Sequence, residues 1–402
     1  MRFRDGKPLA GGVIVLFLQL ALILLATKIA GDVSVKLGQP AVFGKLLVGI
    51  LLGPSVLGLI ENTELLKELS EIGVILLMFL AGLETDLDEF KKSGKPALLV
   101  GVGGIVFPFI GGYAVGVLFG YDTVTSVFMG LLFTATSVSI SVQTLRELGR
   151  LRSPEGMAIL GAAVVDDILV ILLLAVVMTL TGAEEVNIGL LMLKKALFFA
   201  GALLVAWKVV PPVVNWLSRL RVTESLASGA LIICFFYAYA ADAFGIAPII
   251  GAFIAGAAIG ATKFERQVVE KVEPISYAFF VPVFFTSIGV AAEIKGLGDY
   301  VWLAVILSIV ALLTKLVGAY LGARASGFAH RPSLAVGVGM ISRGEVALII
   351  ASLGLSEKLL PPSLFTVMVL VILVTTLATP PLLKWVYRNQ PPQTNEAVRP
   401  TS

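Results

Sequence analysis

Long apolar runs separated by short polar connections dominate the chain. A helix that crosses about 30 Å of hydrocarbon needs about 20 largely apolar residues. Thirteen runs come close to or exceed that length, so the pattern predicts an all-α polytopic membrane protein with about thirteen transmembrane helices. In chain order, helices 1 to 13 are expected at approximately 9–30, 41–59, 68–84, 96–119, 124–146, 156–181, 188–216, 224–242, 246–261, 274–292, 300–324, 332–354 and 363–386.

The connections between these runs are too short to hold a separate folded domain. The sequence therefore predicts one integral membrane unit over residues 1–402, without a nucleotide-binding domain. Residues 388–402 are polar and contain proline, a composition that predicts a disordered tail.

Composition agrees with a membrane protein and narrows its chemistry. Hydrophobic residues make up 57% of the chain and charged residues 14%, against about 25% charged residues in a soluble domain. The net charge of +3 and the absence of a basic tract give no indication of a nucleic-acid partner. A single cysteine, Cys234, and a single histidine, His330, exclude an internal disulfide and argue against a transition-metal site, so we expect no cofactor.

The distribution of Lys and Arg predicts the orientation in the membrane. The odd-numbered loops and the C-terminal segment contain 18 basic residues, and the even-numbered loops and the N-terminal segment contain 6. Because cytoplasmic loops carry the excess of Lys and Arg, we expect the N-terminus outside and the C-terminus in the cytoplasm. The basic N-terminal segment, with Arg2, Arg4 and Lys7, opposes this orientation.

A faint internal repeat relates helix n to helix n+7. Helix 3 ends in FLAGLETDL (79–87) and helix 10 in FTSIGVAAEI (285–294), and helices 2 and 9 share spaced proline and glycine residues. Partners seven helices apart run in opposite directions, so the repeat is inverted, which is typical of secondary transporters. Chance similarity between apolar segments is the alternative.

Two adjacent carboxylates near the middle of helix 6, Asp166 and Asp167, form the main candidate site. A charge at mid-membrane costs at least about 2.5–3.5 kcal/mol, and two neighbouring carboxylates cannot both be ionised there without compensation. At least one is expected to bind a proton or a cation. Oxygen ligands suit Na⁺, and competition between H⁺ and Na⁺ for one site is the minimal chemistry of an antiporter. The alternative is a pair buried for packing specificity.

Lys315 lies at mid-depth in helix 11 and needs an acidic partner on a neighbouring helix. Asp166, Asp167 and Glu345 are the mid-depth candidates. If the pair separates when a cation binds, the lysine releases a proton and takes part in coupling. A static ion pair is the alternative.

Helices 5 and 12 contain segments that are poor mid-membrane helix. Helix 5 carries TATSVSIS (134–141), and helix 12 carries GVGMISRGEVAL (337–348). We predict that both helices are broken there and expose carbonyl groups that ligate ions, with Arg343 and Glu345 stabilising the unwound segment of helix 12. Serine and threonine side chains that bond back to their own helix offer the alternative explanation.

Together these residues resemble the bacterial monovalent cation:proton antiporters of family two, and within it the NapA-like sodium/proton antiporters. The resemblance extends from about residue 38 to 386. Its motifs are GILLGPSVLG (49–58), EIGVILLMFLAGLETDL (71–87), TATS (134–137), VVDDI (164–168), APIIGAF (247–253), PVFFTSIGV (282–290), Lys315 and SRGEVAL (342–348).

The resemblance implies a homodimer in the bacterial inner membrane, built from two inverted repeats in which the broken helices 5 and 12 cross. It implies dimerisation helices at about 9–59 and 224–261, a linker helix at about 188–216, and core transport helices at about 68–181 and 274–386. Asp167 is then the principal carrier of Na⁺ and H⁺, and Asp166 the partner of Lys315.

The resemblance also implies that Thr136 and Ser137 lie at the break of helix 5 beside the ion. The aspartate pair with a lysine resembles the electrogenic branch, which exchanges two protons per sodium, without ATP or any enzymatic step. Potassium-efflux relatives place another residue before the second aspartate and carry a nucleotide domain, which favours Na⁺ (or Li⁺) here.

Three other functions stay open from the residues alone. Exchange of K⁺ for H⁺ differs only in the ion, and a passive cation channel would conduct without proton coupling. An intramembrane aspartyl protease would use Tyr121-Asp122 and the GLGD segment at 296–299, but both aspartates lie at helix ends in short outer loops.

Overall fold

The computed structural model describes residues 11–37, 39–61, 63–85, 92–180, 188–291 and 300–388, and every regular element in these ranges is helical. The GLGD segment and the predicted tail beyond Arg388 lie outside the described residues. The helices are α1 (Gly11–Lys36), α2 (Ala41–Leu52), α3 (Glu64–Leu83), α4 (Gly94–Leu118), α5a (Thr123–Thr134), α5b (Val138–Glu147), α6 (Pro154–Leu180), α7a (Ile188–Lys208), α7b (Val210–Leu217), α8 (Ser225–Ala243), α9 (Pro248–Gly260), α10 (Glu265–Val290), α11 (Val301–Ala325), α12a (His330–Gly339), α12b (Glu345–Ser356) and α13 (Pro362–Tyr387).

This order confirms the predicted all-α membrane architecture, with each of the thirteen apolar runs forming one helix or a pair of half-helices. Within the described ranges, nine helices are long and apolar enough to cross a membrane. Shorter apolar helices, among them α2 and α9, accompany these nine.

Local chemistry explains several helix boundaries. The Asp122 side chain caps α5a by accepting hydrogen bonds from the backbone N–H groups of Val124 (2.9 Å) and Thr125 (3.1 Å), which satisfies two of the groups left unpaired at a helix start. Pro211 and Pro212 lie in the first turn of α7b. Proline has no N–H to donate, so the hydrogen-bond ladder of α7a is interrupted there.

The helices pack as two bundles. In the first, called the α4 bundle, α4 packs along α5a, α6 and α11, and α11 packs along α12a and α13. The half-helices α5b and α12b belong to the same bundle, since both pack along α13. In the second, called the α3 bundle, α3 packs along α9 and α10, while α2 packs along α1 and α10 and α8 along α9. Helices 3 and 10, which the sequence analysis assigns to the core, therefore pack mainly with helices 2 and 9.

The closest helix crossing in the α4 bundle is made by glycine. A Cβ atom on Gly103 of α4 would lie 2.2 Å from the carbonyl oxygen of Gly318 on α11, a distance at which atoms overlap. One residue further along α4, a Cβ atom on Gly104 would lie 3.5 Å from Lys315 Nζ. The glycine crossing therefore brings the backbone of α4 directly over the Lys315 side chain.

We predict that Gly103→Ala lowers the thermal stability of the protein, because the added methyl group forces α4 and α11 apart. Overpacking of this kind costs about 1–3 kcal/mol. Thermal unfolding in detergent measures the effect, and Gly201→Ala is the control, because a Cβ atom on Gly201 of α7a meets nothing within 4 Å. Equal melting temperatures for the two variants would contradict the assigned role of the crossing.

Candidate ion-binding site

Both helices predicted to be broken are broken, and the two breaks pair with each other. The backbone is not helical between Thr134 and Val138, nor between Met340 and Glu345. Ser137 N–H donates to the carbonyl oxygen of Ser342 at 2.8 Å, and the Ser342 hydroxyl donates to the carbonyl oxygen of Ser137. Each unwound segment thus satisfies backbone groups of the other, as the interior of a membrane protein requires.

A further hydrogen bond joins the half-helices beside the breaks. The hydroxyl of Ser141, on α5b, donates to the carbonyl oxygen of Gly339 at the end of α12a. The Ser and Thr side chains of helix 5 therefore hydrogen-bond across to helix 12 as well as back to their own helix, as Thr134 does to the carbonyl of Leu131.

Lys315 and Asp166 form a fully buried ion pair next to the breaks. Lys315 Nζ donates to Asp166 Oδ1 at 2.9 Å and to the carbonyl oxygen of Thr134 at 2.5 Å, and neither side chain is exposed by more than 1%. The lysine therefore connects three elements: α11, which carries it, α6, which carries the aspartate, and the last turn of α5a.

Asp167 faces a different direction from Asp166, since adjacent helical residues point about 100° apart. Its side chain is 7% exposed and borders a small cavity with room for roughly one water molecule. The other residues that line this cavity are Met78, Val138, Leu160, Ala163, Val164, Ile249, Ile250 and Phe253. These residues belong to α3, α5b, α6 and α9, so Asp167 lies where the two bundles meet.

Thr136 and Ser137, the other residues predicted at the site, are buried at the break of helix 5. The Thr136 side chain lies beside the Asp166 carboxylate. Thr136 Oγ1 and Asp166 Oδ2 are buried and have no hydrogen-bond partner of normal geometry among the described residues. Buried oxygens are usually hydrogen-bonded, so these two oxygens are available to a proton or to a hard cation.

Arg343 supports the breaks through backbone carbonyls. Its guanidinium is 1% exposed and donates to the carbonyl oxygens of Phe133 (2.7 Å), Ala311 (3.1 Å) and Ile341 (3.2 Å). The carbonyl oxygen of Arg343 in turn accepts a hydrogen bond from the Thr376 hydroxyl of α13. The backbone of Glu345 begins α12b, while its side chain lies outside what the structure describes.

Thr376 was missed by the sequence analysis. A usable signal exists in helix 13, where Thr375, Thr376 and Thr379 form a short polar cluster and are all completely buried. Within the described part of the chain, no group of three or more His, Cys, Asp or Glu side chains is arranged so that it could hold a metal ion. The candidate site is accordingly built from two carboxylates together with hydroxyl and carbonyl oxygens.

A second polar cluster, called the Arg146 network, joins the two bundles at one end. Arg146 of α5b donates to Glu84 (2.6 Å), Glu273 (2.8 Å) and the Tyr277 hydroxyl (2.5 Å). The Tyr277 hydroxyl donates to Gln143 Oε1 at 2.7 Å. Burial raises the pKa of the Glu84 carboxyl, and Arg146 opposes that rise. Sequence reasoning missed this network because charges at helix ends usually contact water.

The chain is similar to known transport proteins over nearly all of its length. A family model described as sodium/hydrogen exchanger, transmembrane, matches residues 20–388. The Na(+)/H(+)-K(+) antiporter GerN of Bacillus cereus is 55% identical, over 92% of this chain and 96% of that protein. The Na(+)/H(+) antiporter of Enterococcus hirae is 42% identical, over 91% and 96%.

Solved structures show the same fold at low sequence identity. The sodium proton antiporter MjNhaP1 from Methanocaldococcus jannaschii superposes with a TM-score of 0.73 at 16% identity, over 94% of this chain and 96% of that one.

We predict that Lys315→Met strongly lowers thermal stability, because it leaves the buried Asp166 without its partner. Breaking a buried pair costs about 3–5 kcal/mol, and the double variant Asp166→Asn/Lys315→Met is expected to recover part of the loss. Thermal unfolding in detergent measures both.

Lys36→Met provides the matched control. The Lys36–Asp32 pair is 2.5 Å long but more than half exposed on both sides, so its loss is expected to cost less than about 1 kcal/mol. A melting temperature for Lys315→Met close to that of Lys36→Met would show that the buried pair does not hold the site together.

Proposed function

Because the chain belongs to the sodium/hydrogen exchanger family, we propose that it is a secondary antiporter that exchanges Na⁺ (or Li⁺) for H⁺ at Asp167. Family membership confirms the prediction of a sodium/proton antiporter made from the sequence. The observation that carries the assignment to this residue is its position. Asp167 is a nearly buried carboxylate at the boundary of the two bundles, on the same helix turn as Asp166 and close to the paired breaks.

Competition for one carboxylate explains the exchange. An ionised Asp167 binds either a proton or a Na⁺ ion, and the oxygens of Asp166, Thr136 and the helix breaks complete the ligands of the metal ion. The site is emptied of one ion before it accepts the other, so the gradient of one drives transport of the other. No ATP, cofactor or enzymatic step enters this scheme.

The Lys315–Asp166 pair provides a second proton for an electrogenic cycle. When Na⁺ recruits Asp166, Lys315 loses its counter-charge in a low-dielectric surrounding and releases a proton. Reloading the site with one proton at Asp167 and one at Lys315 lets the pair form again. Two protons are then exchanged for each sodium ion, and one net charge crosses the membrane in each cycle.

Alternating access follows from relative movement of the bundles. We propose that the α4 bundle (α4–α6 and α11–α13) is the moving transport unit, because it contains the ion pair, both breaks and Asp167. The α3 bundle (α1–α3 and α8–α10) is then the static unit and forms the homodimer. This boundary differs from the sequence-based division, since it moves helices 3 and 10 to the static side according to their packing.

The protein is a multi-pass membrane protein, and the finer points of its location are proposals. The excess of Lys and Arg in the odd-numbered loops supports an extracellular N-terminus and a cytoplasmic C-terminus in a bacterial inner membrane. In that orientation the Arg146 network lies at the cytoplasmic end.

Exchange of K⁺ for H⁺ is the second candidate function. The observation that favours it is the 55% identical relative whose name includes K⁺ beside Na⁺. A site made of carboxylate and hydroxyl oxygens accepts either ion, and selectivity depends on cavity size and ligand number.

The Arg146 network must open during the cycle. Arg146 and Gln143 belong to the α4 bundle, whereas Glu84, Glu273 and Tyr277 belong to the α3 bundle. A second pair, Arg152 to Glu265 at 3.1 Å, joins the bundles at the same end. Because every one of these contacts crosses the proposed sliding boundary, we infer that they hold this end closed and favour the conformation in which the site is inaccessible from it.

We predict that Asp167→Asn abolishes exchange without unfolding the protein. The amide has no charge with which to bind Na⁺ or a transported proton. Proteoliposomes with an imposed pH gradient and a trapped pH dye measure exchange when Na⁺, Li⁺ or K⁺ is added. The variant should give the signal of empty liposomes for each ion.

Asp122→Asn is the control for this experiment, since Asp122 caps an exposed helix end far from the breaks and should retain exchange. Full activity of Asp167→Asn would refute the assignment of the carrier. If the wild type responds to K⁺ alone, the substrate is potassium and not sodium. Ion flux without proton movement would identify a channel.

We predict that Arg146→Gln increases access to the site from the end that carries the Arg146 network. The neutral side chain loses its contacts with Glu84 and Glu273, so the closed conformation is favoured less. The rate at which a membrane-impermeant maleimide labels Leu160→Cys, next to Asp167, should rise several-fold in the variant. Cys234 is buried and is replaced by serine in all samples.

Arg266→Gln is the matched control, because Arg266 pairs with Glu270 at 2.9 Å within α10 alone. Its labelling rate should equal that of the wild type. A similar rise in both variants would mean that loss of positive charge, and not separation of the bundles, controls access.

A further inference from the structure

We propose that a hollow between the start of α12a and the end of α13 binds the phosphate of an anionic phospholipid headgroup. The hollow lies at the end of the α4 bundle, far along α12a from the breaks. The residues that line it are His330, Arg331, Leu334, Trp385, Val386 and Arg388.

Within the part of the chain that the structure describes, no acidic side chain compensates the positive charge of this hollow. Arg331 and Arg388 are exposed, and among the described residues neither guanidinium makes a hydrogen bond or an ion pair. No Asp or Glu side chain of the described residues lines the hollow. Two guanidinium groups facing one concave surface match the geometry of a phosphate, which accepts paired hydrogen bonds from arginine.

Neighbouring charged groups are already engaged elsewhere. Arg324, at the end of α11, donates to the carbonyl oxygen of Phe328 at 2.6 Å. Glu155 accepts a hydrogen bond from the Tyr387 hydroxyl at 3.2 Å, and Arg150 stacks over the ring of the same tyrosine at 5.2 Å. Glu155 is therefore directed into the bundle, and Arg331 and Arg388 remain available to an external anion.

His330 gives the hollow a fixed rim. Its Nδ1 lies 2.8 Å from the Tyr320 hydroxyl, and the two rings meet edge to face at 5.7 Å. These contacts hold the imidazole at the first residue of α12a, in the same hollow as Arg331. The rim is thus preorganised and a bound phosphate would lose little affinity to side-chain ordering.

A lipid fits the surroundings better than a soluble anion. Trp385, in the wall of the hollow, is 63% exposed, and tryptophan is enriched at the level of the lipid headgroups. On α11, which packs against α12a and α13, Val317 and Leu321 are exposed within about two turns of the helix end. They give the end of α11 an exposed apolar surface, which suits contact with acyl chains.

The position of the hollow connects the membrane surface to the ion site. It forms at the first residues of α12a, and the last residue of the same half-helix, Gly339, accepts a hydrogen bond from Ser141 beside the break. Ten helical residues span about 15 Å. With the α4 bundle as the moving unit, as proposed above, a headgroup bound at one end travels with the half-helix that forms one side of the site.

Fluorescence quenching in nanodiscs tests the proposal with the full-length protein. Brominated phosphatidylglycerol and brominated phosphatidylcholine are compared at equal mole fraction, and the signal of Trp385 is obtained by subtracting a Trp385→Phe variant. We expect stronger quenching of Trp385 by the anionic lipid. The double variant Arg331→Gln/Arg388→Gln should reduce the preference for phosphatidylglycerol roughly tenfold or more, given the contribution of each basic residue at a membrane surface.

Arg219→Gln/Arg221→Gln is the matched control, because it removes two exposed arginines near a different helix end. It should keep the wild-type preference. Each single variant, Arg331→Gln or Arg388→Gln, should lose part of it, and unfolding temperatures in detergent should not change because both side chains are exposed.

Two results would overturn the proposal. Equal quenching by both lipids in the wild type, or an unchanged preference in Arg331→Gln/Arg388→Gln, would mean that the hollow does not select an anionic headgroup. Equal quenching in the wild type is also the result expected if a soluble anion such as inorganic phosphate occupies the hollow in place of a lipid.

Discussion

The buried pair of Lys315 and Asp166 is the contact on which the rest of the site depends. Both charges are removed from water, which costs several kcal/mol per ion unless the partner and further hydrogen bonds compensate. Compensation comes from a third element, because Lys315 also donates to the carbonyl oxygen of Thr134. The Lys315 ammonium group therefore links α11 to α6. It also satisfies a backbone carbonyl in the last turn of α5a, where the hydrogen-bond ladder of α5a ends.

The same rule, that no backbone polar group is left unpaired in the membrane interior, shapes both breaks. Ser137 and Ser342 exchange hydrogen bonds, and Arg343 collects carbonyl oxygens from α5a and α11. With Asp166 committed to this structural core, Asp167 is turned about 100° away from it. Two chemically identical residues therefore acquire different positions, one inside the α4 bundle and one at its boundary.

The cost of polar groups in a membrane made the centre of the site predictable from sequence. Asp166, Asp167, Lys315 and the two broken helices each stand out because an apolar surrounding tolerates them only with partners, and the predicted all-α fold was confirmed. The residues that pair with these polar groups were harder to predict from the sequence. Arg343 donates to backbone carbonyls, which every residue has, so the sequence does not show which residues accept these bonds. Arg146 and Glu273 lie near helix ends, where charged side chains are usually solvated. Hydropathy also contains no information on which helices pack together, so the proposal that places helices 3 and 10 in the static unit rests on their packing in the structure.

The contacts between the bundles are apolar around Asp167 and polar at one end of the boundary. The groups that set the energy difference between conformations are therefore not the groups at the candidate ion site. Around Asp167 the boundary is lined by apolar side chains such as Met78, Ile249 and Phe253, whose non-directional contacts exchange for similar ones when surfaces slide. Directional polar contacts concentrate at one end, in the Arg146 network, where Arg146 and Glu84 are 16% and 19% exposed. Exposed ion pairs contribute only about 0–1 kcal/mol each and mostly buried pairs such as Arg146–Glu84 somewhat more, so the network as a whole sets a bias of roughly a few kcal/mol. A bias of that size keeps two conformations within reach of each other, and in the proposed cycle ion binding at Asp167 needs to change only the charge of the site for either face to be reached.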